Sequence, residues 1–265
     1  MIELASLIYY PIKSCRGIEM RSTRVERMWL ANDRRMMVIS AQGEFLTQRE
    51  HPKLALVSPE FIGQSVRLSA PGYDAIDIPL ILDGPVKLVQ IWKSKNVHAI
   101  DQGTQAAEWF SNFLEAQVSL VHFASGFRRR LNPEYAVRPD DHTAFADEYP
   151  ILILSQESLN DLNSRLETPL PMNRFRPNVV VRGTDPYRED TWKRIRLGGV
   201  EMAIVKPCPR CVVTTIDKQT LATSREPLRT LNRYRKQAGG AMFGQNAIPL
   251  GEGILEVGMP VEVIE

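Results

Sequence analysis

The segment Lys206-Pro207-Cys208-Pro209-Arg210-Cys211-Val212-Val213-Thr214-Thr215-Ile216-Asp217 holds two of the three cysteines in the chain. A C-x-x-C pair is open to several chemistries. It is half of a zinc site, but zinc takes four ligands. Cys15 is the only other cysteine, and the four histidines have no metal-binding spacing. A thioredoxin-type dithiol opens a helix after a strand, whereas the β-branched run Val212–Thr215 predicts that these cysteines precede a strand. A single thiolate beside cationic Arg210 and Lys206, which would lower its pKa, is a ligand for a soft metal. Two small apolar side chains in a core is the reading without chemistry.

Three further segments have residue types suited to an anion. In Tyr10-Pro11-Ile12-Lys13-Ser14-Cys15-Arg16-Gly17 a strand ends on a lysine, a hydroxyl and a glycine, short of a P-loop. In Ile151-Leu152-Ile153-Leu154-Ser155-Gln156-Glu157-Ser158-Leu159 an apolar strand runs into a helix whose unpaired N–H groups favour negative charge; plain capping by Ser155 is the alternative. Asn173-Arg174-Phe175-Arg176-Pro177-Asn178 sets two arginines on a pre-proline turn, a geometry that clamps phosphate bidentately. Arg128-Arg129-Arg130 adds concentrated charge, ordinarily that of a solvated loop.

These residues must be held by a chain of 265 residues, 43% hydrophobic and 24% charged. That composition is globular, and the length is enough for a core without staples. Thirty-three Lys and Arg against thirty-one Asp and Glu give a net charge of +2, no electrostatic case for nucleic acid or a membrane surface. An anion would have to be held by a local cluster. The odd, small cysteine count points to a reducing compartment. With no signal peptide at the start and no run near the ~18 apolar residues of a span, a cytoplasmic protein is expected.

The elements read mainly as short strands. Ile2–Tyr10, Met36–Ile39 with Phe45–Thr47, Leu54–Val57, Val66–Leu68, Ala75–Ile78 and Val86–Ile91 are expected in the first half, a spacing typical of barrels and sandwiches. Asn178–Val181, Arg194–Leu197, Val200–Ile204, Val212–Thr215 and Ile254–Val257 follow in the second. Helices are expected over Thr104–Gln117, Ser155–Leu166 and Arg225–Gln237. A boundary falls near residue 120.

Each motif alone is weak, but their order is specific. Y-P-I-K-S-C-R-G, N-D-R-R-M-M-V, G-E-F-L-T-Q-R-E-H-P-K-L-A, L-I-L-S-Q-E-S-L-N-D-L-N-S-R-L, R-F-R-P-N-V-V-V, P-R-C-V-V-T-T-I-D and A-M-F-G-Q-N, closed by V-G-M-P-V-E-V, resemble the MOSC family. That family is named after the C-terminal domain of molybdenum cofactor sulfurases. The resemblance is strongest to the branch of the mitochondrial amidoxime-reducing component and its bacterial relatives, and runs from about Leu7 to about Val263.

The resemblance implies a mainly β fold with a few helices: a β-barrel-like N-terminal domain (1–120) and a MOSC β-barrel domain (121–265). It implies the molybdenum cofactor, with Cys211 as catalytic residue and molybdenum ligand and Cys208 without that role. Cofactor contacts map onto Lys13, Ser14, Arg34, Ser155, Gln156, Ser158, Arg176, Asn178 and Arg210. Pro209, at another contact position, has neither side-chain donor nor backbone N–H. Nothing in the series implies pyridoxal phosphate. Lys13 and Arg176 are expected to reach for a phosphate, so that the fold needs neither.

The implied activity is reduction of small N-hydroxylated compounds, such as amidoximes and hydroxylaminopurines. The alternative is a non-catalytic cofactor carrier or a sulfur-transfer module. Bacterial relatives carry the C-x₄-C-x₂-C of a plant-type iron–sulfur domain and mitochondrial ones a membrane anchor; neither is expected here, since the three cysteines do not have that spacing. No iron–sulfur cluster, nucleic acid or membrane is expected. No G-x-G-x-x-G follows a strand, so electrons are expected from a separate ferredoxin- or flavodoxin-like protein with its reductase, docked on basic residues including Arg128, Arg129 and Arg130.

Overall fold

Twenty strands and three α-helices build the protein, described over residues 1–265 in a computed structural model. The largest sheet has nine strands. Its main path runs Ile18–Met20, Glu3–Tyr9, Val179–Arg182, Ile151–Ser155, Gly240–Pro249, Val200–Pro209, Arg194–Leu197, Val261–Val263. Both ends of the sequence thus meet in one sheet. A separate ribbon pairs Gly253–Glu256 with Ser22–Val25.

Neighbours in this sheet are antiparallel except Ile151–Ser155 and Val179–Arg182. A parallel pair needs a crossover, here containing helix α1's successor in the chain, α2; α1 is Thr104–Leu114, α2 is Gln156–Ser164 and α3 is Leu228–Tyr234. Strand alternation sorts the side chains. Ile151 and Ile153 join Leu4, Leu7, Val179 and Val181 in one core, while Leu154 faces Leu159 and Leu162 of α2 and Leu231 of α3.

Two smaller sheets complete the fold. One orders Met36–Ser40, Val118–Phe123, Ser94–Asp101 and Val86–Ile91; the other is Ser58–Ile62, Ser65–Ala70 and Tyr73–Pro79. Helix α1 packs between them, with Ala106, Trp109, Phe110, Phe113 and Leu114 in a core shared with Val38, Leu120, Val66 and Leu68. It stops at Leu114 because Glu115 turns left-handed, at φ 55°.

Three expected strands are not strands. Phe45–Thr47 has only an isolated bridge, from Phe45 to Ile39. Pro52–Leu56 is a 3₁₀ turn in place of a strand over Leu54–Val57, begun by the fixed φ of Pro52, and the strand starts at Ser58. Val212–Thr215 is also a 3₁₀ turn. Its β-branched residues suggest a strand, but the Thr214 and Thr215 hydroxyls donate to the carbonyls of Cys211 and Val212, three residues back, at 2.9 and 2.8 Å. The preceding strand is longer than expected, continuing to Pro209. Cys208 therefore lies inside a strand and Cys211 just past its end.

Candidate functional site

Cys211 is held from the strand before it, not by one after it. The Arg210 N–H donates to the Ala241 carbonyl at 2.8 Å, and the Cys211 carbonyl accepts from the Thr214 N–H at 3.0 Å. The cation beside the thiol is Arg49, whose Nη2 donates to Sγ at 3.2 Å. The two cations expected there lie elsewhere. Arg210 donates to Cys208 Sγ at 3.0 Å and to the Phe175 carbonyl. Lys206 donates to Glu148 at 3.0 Å. No three His, Cys, Asp or Glu side chains converge on a point anywhere in the chain, and Cys211 is a free thiol.

Beside it is a compact array built on the buried Tyr10. The guanidinium carbons of Arg176 and Arg34 lie 4.1 and 4.6 Å from its ring centroid. Asp33 orders the array: its Oδ1 accepts from the Tyr10 N–H at 2.8 Å and from Asn178 Nδ2 at 3.0 Å, and its Oδ2 from Arg34 Nη1 at 2.6 Å. The Asn178 side chain also receives the Arg34 guanidinium at 3.0 Å and the Leu152 N–H at 3.2 Å, and donates to the Ile8 carbonyl at 3.1 Å. Asn178 thus joins the strands on either side of it to the arginine. Arg176 Nη1 donates to the Cys15 carbonyl at 2.7 Å. Burial pushes the Tyr10 hydroxyl up to about 12, against the pull of Arg176 and Arg34. Gly17 is required here by close approach: a Cβ would lie 2.5 Å from the Tyr10 ring.

Lys13 is only 5% exposed. It donates to the Phe145 carbonyl at 3.0 Å and to Asp147. Burial pulls its ammonium down to about 8, against Asp147. The fold therefore uses Lys13 as well as Arg176, contrary to the expectation that it needs neither. Asp147 also accepts from the Trp92 indole N–H at 3.1 Å, and Arg49 lies 4.7 Å from the Trp92 ring centroid. These contacts close a chain Lys13–Asp147–Trp92–Arg49–Cys211.

Lys218 closes another side. It donates to Gln48 at 2.6 Å and to the Val213 carbonyl at 2.8 Å. Burial and then the neighbouring Arg176, Arg174 and Arg210 pull it down to about 7. Ser14, Arg34 and Arg176 have φ of 70°, 47° and 57°. Left-handed backbone at non-glycine residues costs free energy and concentrates at functional sites.

The structure thus brings together Lys13, Ser14, Arg34, Arg176, Asn178, Arg210 and Cys211. It does not bring Ser155, Gln156 and Ser158 to them. Asn178 is at the amino end of its strand, beside Leu152, whereas Ser155 pairs with Val181 at the other end, ~10 Å along. Ser155 and Ser158 are fully buried and donate to Glu189 at 2.9 and 2.7 Å. Gln156 bonds Asn160 of its own helix. Arg129 is buried too, donating to the Ala144 carbonyl at 2.8 Å and to the Ala146 carbonyl, so it is not an exposed docking charge. Sequence reasoning missed Arg49, Gln48, Trp92, Asp147 and Lys218. Their one signal was that Gln48 and Arg49 lie in G-E-F-L-T-Q-R-E-H-P and Lys218 directly follows the R-C-V-V-T-T-I-D motif.

Comparison with known proteins places the chain in a family. The MOSC N-terminal beta barrel domain matches residues 1–117 and the MOSC domain residues 140–262. The chain belongs to the MOSC family. Mitochondrial amidoxime-reducing component 1 of Homo sapiens is 36% identical over 282 residues, spanning 98% of this chain and 82% of that protein. Mitochondrial amidoxime reducing component 2 of Bos taurus is 37% identical, spanning 88% and 72%. The Danio rerio component 1 is 35% identical, spanning 97% and 83%. Within this MOSC chain the site draws Lys13, Arg34 and Arg49 from the first matched region and Asp147, Arg176 and Cys211 from the second. No helix is long and apolar enough to cross a membrane.

Proposed function

We propose that this protein is a molybdenum-cofactor-dependent reductase of N-hydroxylated compounds. The observation that carries this reading is a lone, half-buried thiol at the rim of a cationic cluster that its own carboxylates do not neutralise. Lys13, Arg34, Arg49, Arg174, Arg176, Arg210 and Lys218 face Asp33, Asp147 and Asp217. The like charges around Lys218 oppose its protonation. Arg174 Nε and Arg210 Nε are buried without a hydrogen-bond partner, a cost that a bound anion would relieve. These residues fit a cofactor that joins a soft metal to a phosphate.

In this reading Cys211 is the molybdenum ligand, since thiolate suits a soft metal. Lys13, Ser14, Arg34, Arg176, Asn178 and Arg210 hold the phosphate and the pterin. Ser155, Gln156 and Ser158 are left as the buried support of α2. The cofactor supplies two-electron oxygen-transfer chemistry when bound. Arg49 orients the thiol through its hydrogen bond, and Lys218 holds or releases a proton near neutral pH. The names of the relatives support amidoximes as the substrate class; in this reading the electrons come from a separate ferredoxin- or flavodoxin-like donor. The division into two domains near residue 120 belongs to the same reading.

The test is element analysis of protein made in a host that synthesises the cofactor, followed by benzamidoxime reduction with an artificial electron donor. Stoichiometric molybdenum and turnover are expected. Molybdenum without turnover would favour a carrier; no molybdenum would overturn the proposal.

A further inference from the structure

Two large apolar side chains are exposed beside this site. Val212, next to Cys211, is 47% exposed, and Trp92 is 39% exposed. Trp92 sits between the strands Val86–Ile91 and Ser94–Asp101, in a turn where its φ is 51°. A bulky residue rarely adopts that conformation, because its Cβ crowds the backbone. Solvating an indole and straining its backbone both cost free energy, so something other than stability accounts for the residue.

Its surroundings show what the ring is placed for. The indole N–H is fixed on Asp147 at 3.1 Å. The Phe45 ring meets it edge-on at 4.8 Å, with planes 61° apart. Arg49, which donates to Cys211, lies 4.7 Å from its centroid. An aromatic ring held on several sides loses little freedom when a second ring stacks on it. With Lys13 buried and paired to Asp147, Arg49 is the cation left beside the ring, and it disfavours a cationic ligand while leaving an uncharged one unaffected.

We propose that Trp92, with Val212, is the platform on which the site takes a flat, uncharged aromatic substrate. This rests on the reductase reading and adds the substrate class to it. The ring of the substrate stacks on Trp92, so that its N-hydroxyl group points toward Cys211. Small aliphatic N-hydroxylated compounds gain nothing from the platform.

The experiment uses cofactor-loaded protein and compares benzamidoxime with N-hydroxyurea. Two readouts are taken: equilibrium binding to the oxidised protein by calorimetry, and KM and kcat with an artificial donor. Trp92→Ala is expected to raise Kd and KM for benzamidoxime about tenfold, in line with base–aromatic stacking. Freeing Arg49 and Asp147 from the indole lowers turnover of both compounds alike, so the platform is read from the further loss in Kd and KM that benzamidoxime shows beyond N-hydroxyurea, on the free-energy scale of one stacked ring. Trp92→Phe keeps an aromatic face and is expected to recover most of the loss. Equal losses in Kd and KM for both compounds, a Trp92→Phe variant no better than alanine, or no detectable benzamidoxime binding to the parent protein would each overturn the platform. Trp92-dependent binding without turnover would overturn the reductase reading and leave the platform standing. Turnover of benzamidoxime that ignores Trp92 would do the reverse.

Discussion

The Arg49 guanidinium donates to the Cys211 sulfur at 3.2 Å across 162 residues of sequence. A hydrogen bond in that position orients the sulfur. Arg49→Ala is expected to reduce bound molybdenum about tenfold, the scale of losing a residue that orients a metal ligand. Metal analysis of protein from a host that makes the cofactor gives the content. An unchanged content would remove Arg49 from any role in positioning the thiol.

Cys211→Ala is expected to reduce bound molybdenum at least about tenfold, the scale of losing a ligand or its support. Cys208→Ala is expected to retain most of it, because Cys208 lies inside the strand and is engaged by Arg210. Metal analysis of the two purified variants separates these outcomes. Equal loss in both would mean that the two cysteines act as a pair.

Lys13→Ala removes a buried donor from the Phe145 carbonyl and from Asp147. The Asp147 side chain is 62% exposed and stays hydrated, which limits the penalty to about 1–2 kcal/mol. The cofactor-free variant is expected to melt a few degrees lower, since 1 kcal/mol is worth about 2–4 °C at this size. It should also retain less cofactor. Lost cofactor with an unchanged Tm would mean that the ion pair adds nothing to the fold.

The site was legible where residue type and motif order agreed. Lys13, Arg34, Arg176 and Cys211 are a thiol and three cations in a recurring sequence of segments, and the fold gathers them. It was illegible where the geometry depends on a single contact between distant loops. Arg49 and Lys218 have no periodicity, and nothing local marks which arginine will meet which cysteine. The turn at Val212–Thr215 was misread because β propensity describes a side chain on a pleated surface, and here threonine hydroxyls bonded to nearby carbonyls instead. The strands of the large sheet were readable from their apolar alternation. Their pairing order, which joins Glu3–Tyr9 to Val179–Arg182, leaves no mark in local sequence.

Sulfate binding to the cofactor-free protein is expected to tighten as pH falls from 8 to 6. Lys218 is pulled down to about 7 in the folded protein, against about 10.4 in an unfolded chain. Between those values the unfolded chain binds more protons, so the contribution of Lys218 to stability rises with pH from 7 to 10, and below 7 its penalty is constant. A bound anion reverses the bias by favouring the ammonium. About tenfold tighter binding across two pH units is the scale for one such group. Titration calorimetry on the parent protein and Lys218→Gln measures it; the same pH dependence in both would assign it to another group.

The purified chain is expected to show no iron–sulfur signal and no NADH-dependent reduction of benzamidoxime by itself. Adding a ferredoxin or flavodoxin with its reductase should start turnover. If the docking is electrostatic, the rate should fall as salt rises. The charges available for it are those such as Arg128, which is 55% exposed and lies 3.8 Å from Asp140; buried Arg129 is not among them. NADH-driven activity from the single chain would remove the need for a partner, and a rate insensitive to salt would remove only the charge-guided docking.

The strand Glu3–Tyr9 leaves the ribosome well before its partner Val179–Arg182. During synthesis the early strand has an unsatisfied edge, a surface open to wrong pairings. Lys13 follows that strand closely, and its position relative to Arg176 and Cys211 is set only when the edge is filled. In the proposed reading the cofactor can therefore enter only after both strands are made, and a nascent chain stalled midway would display β edges with no site to load.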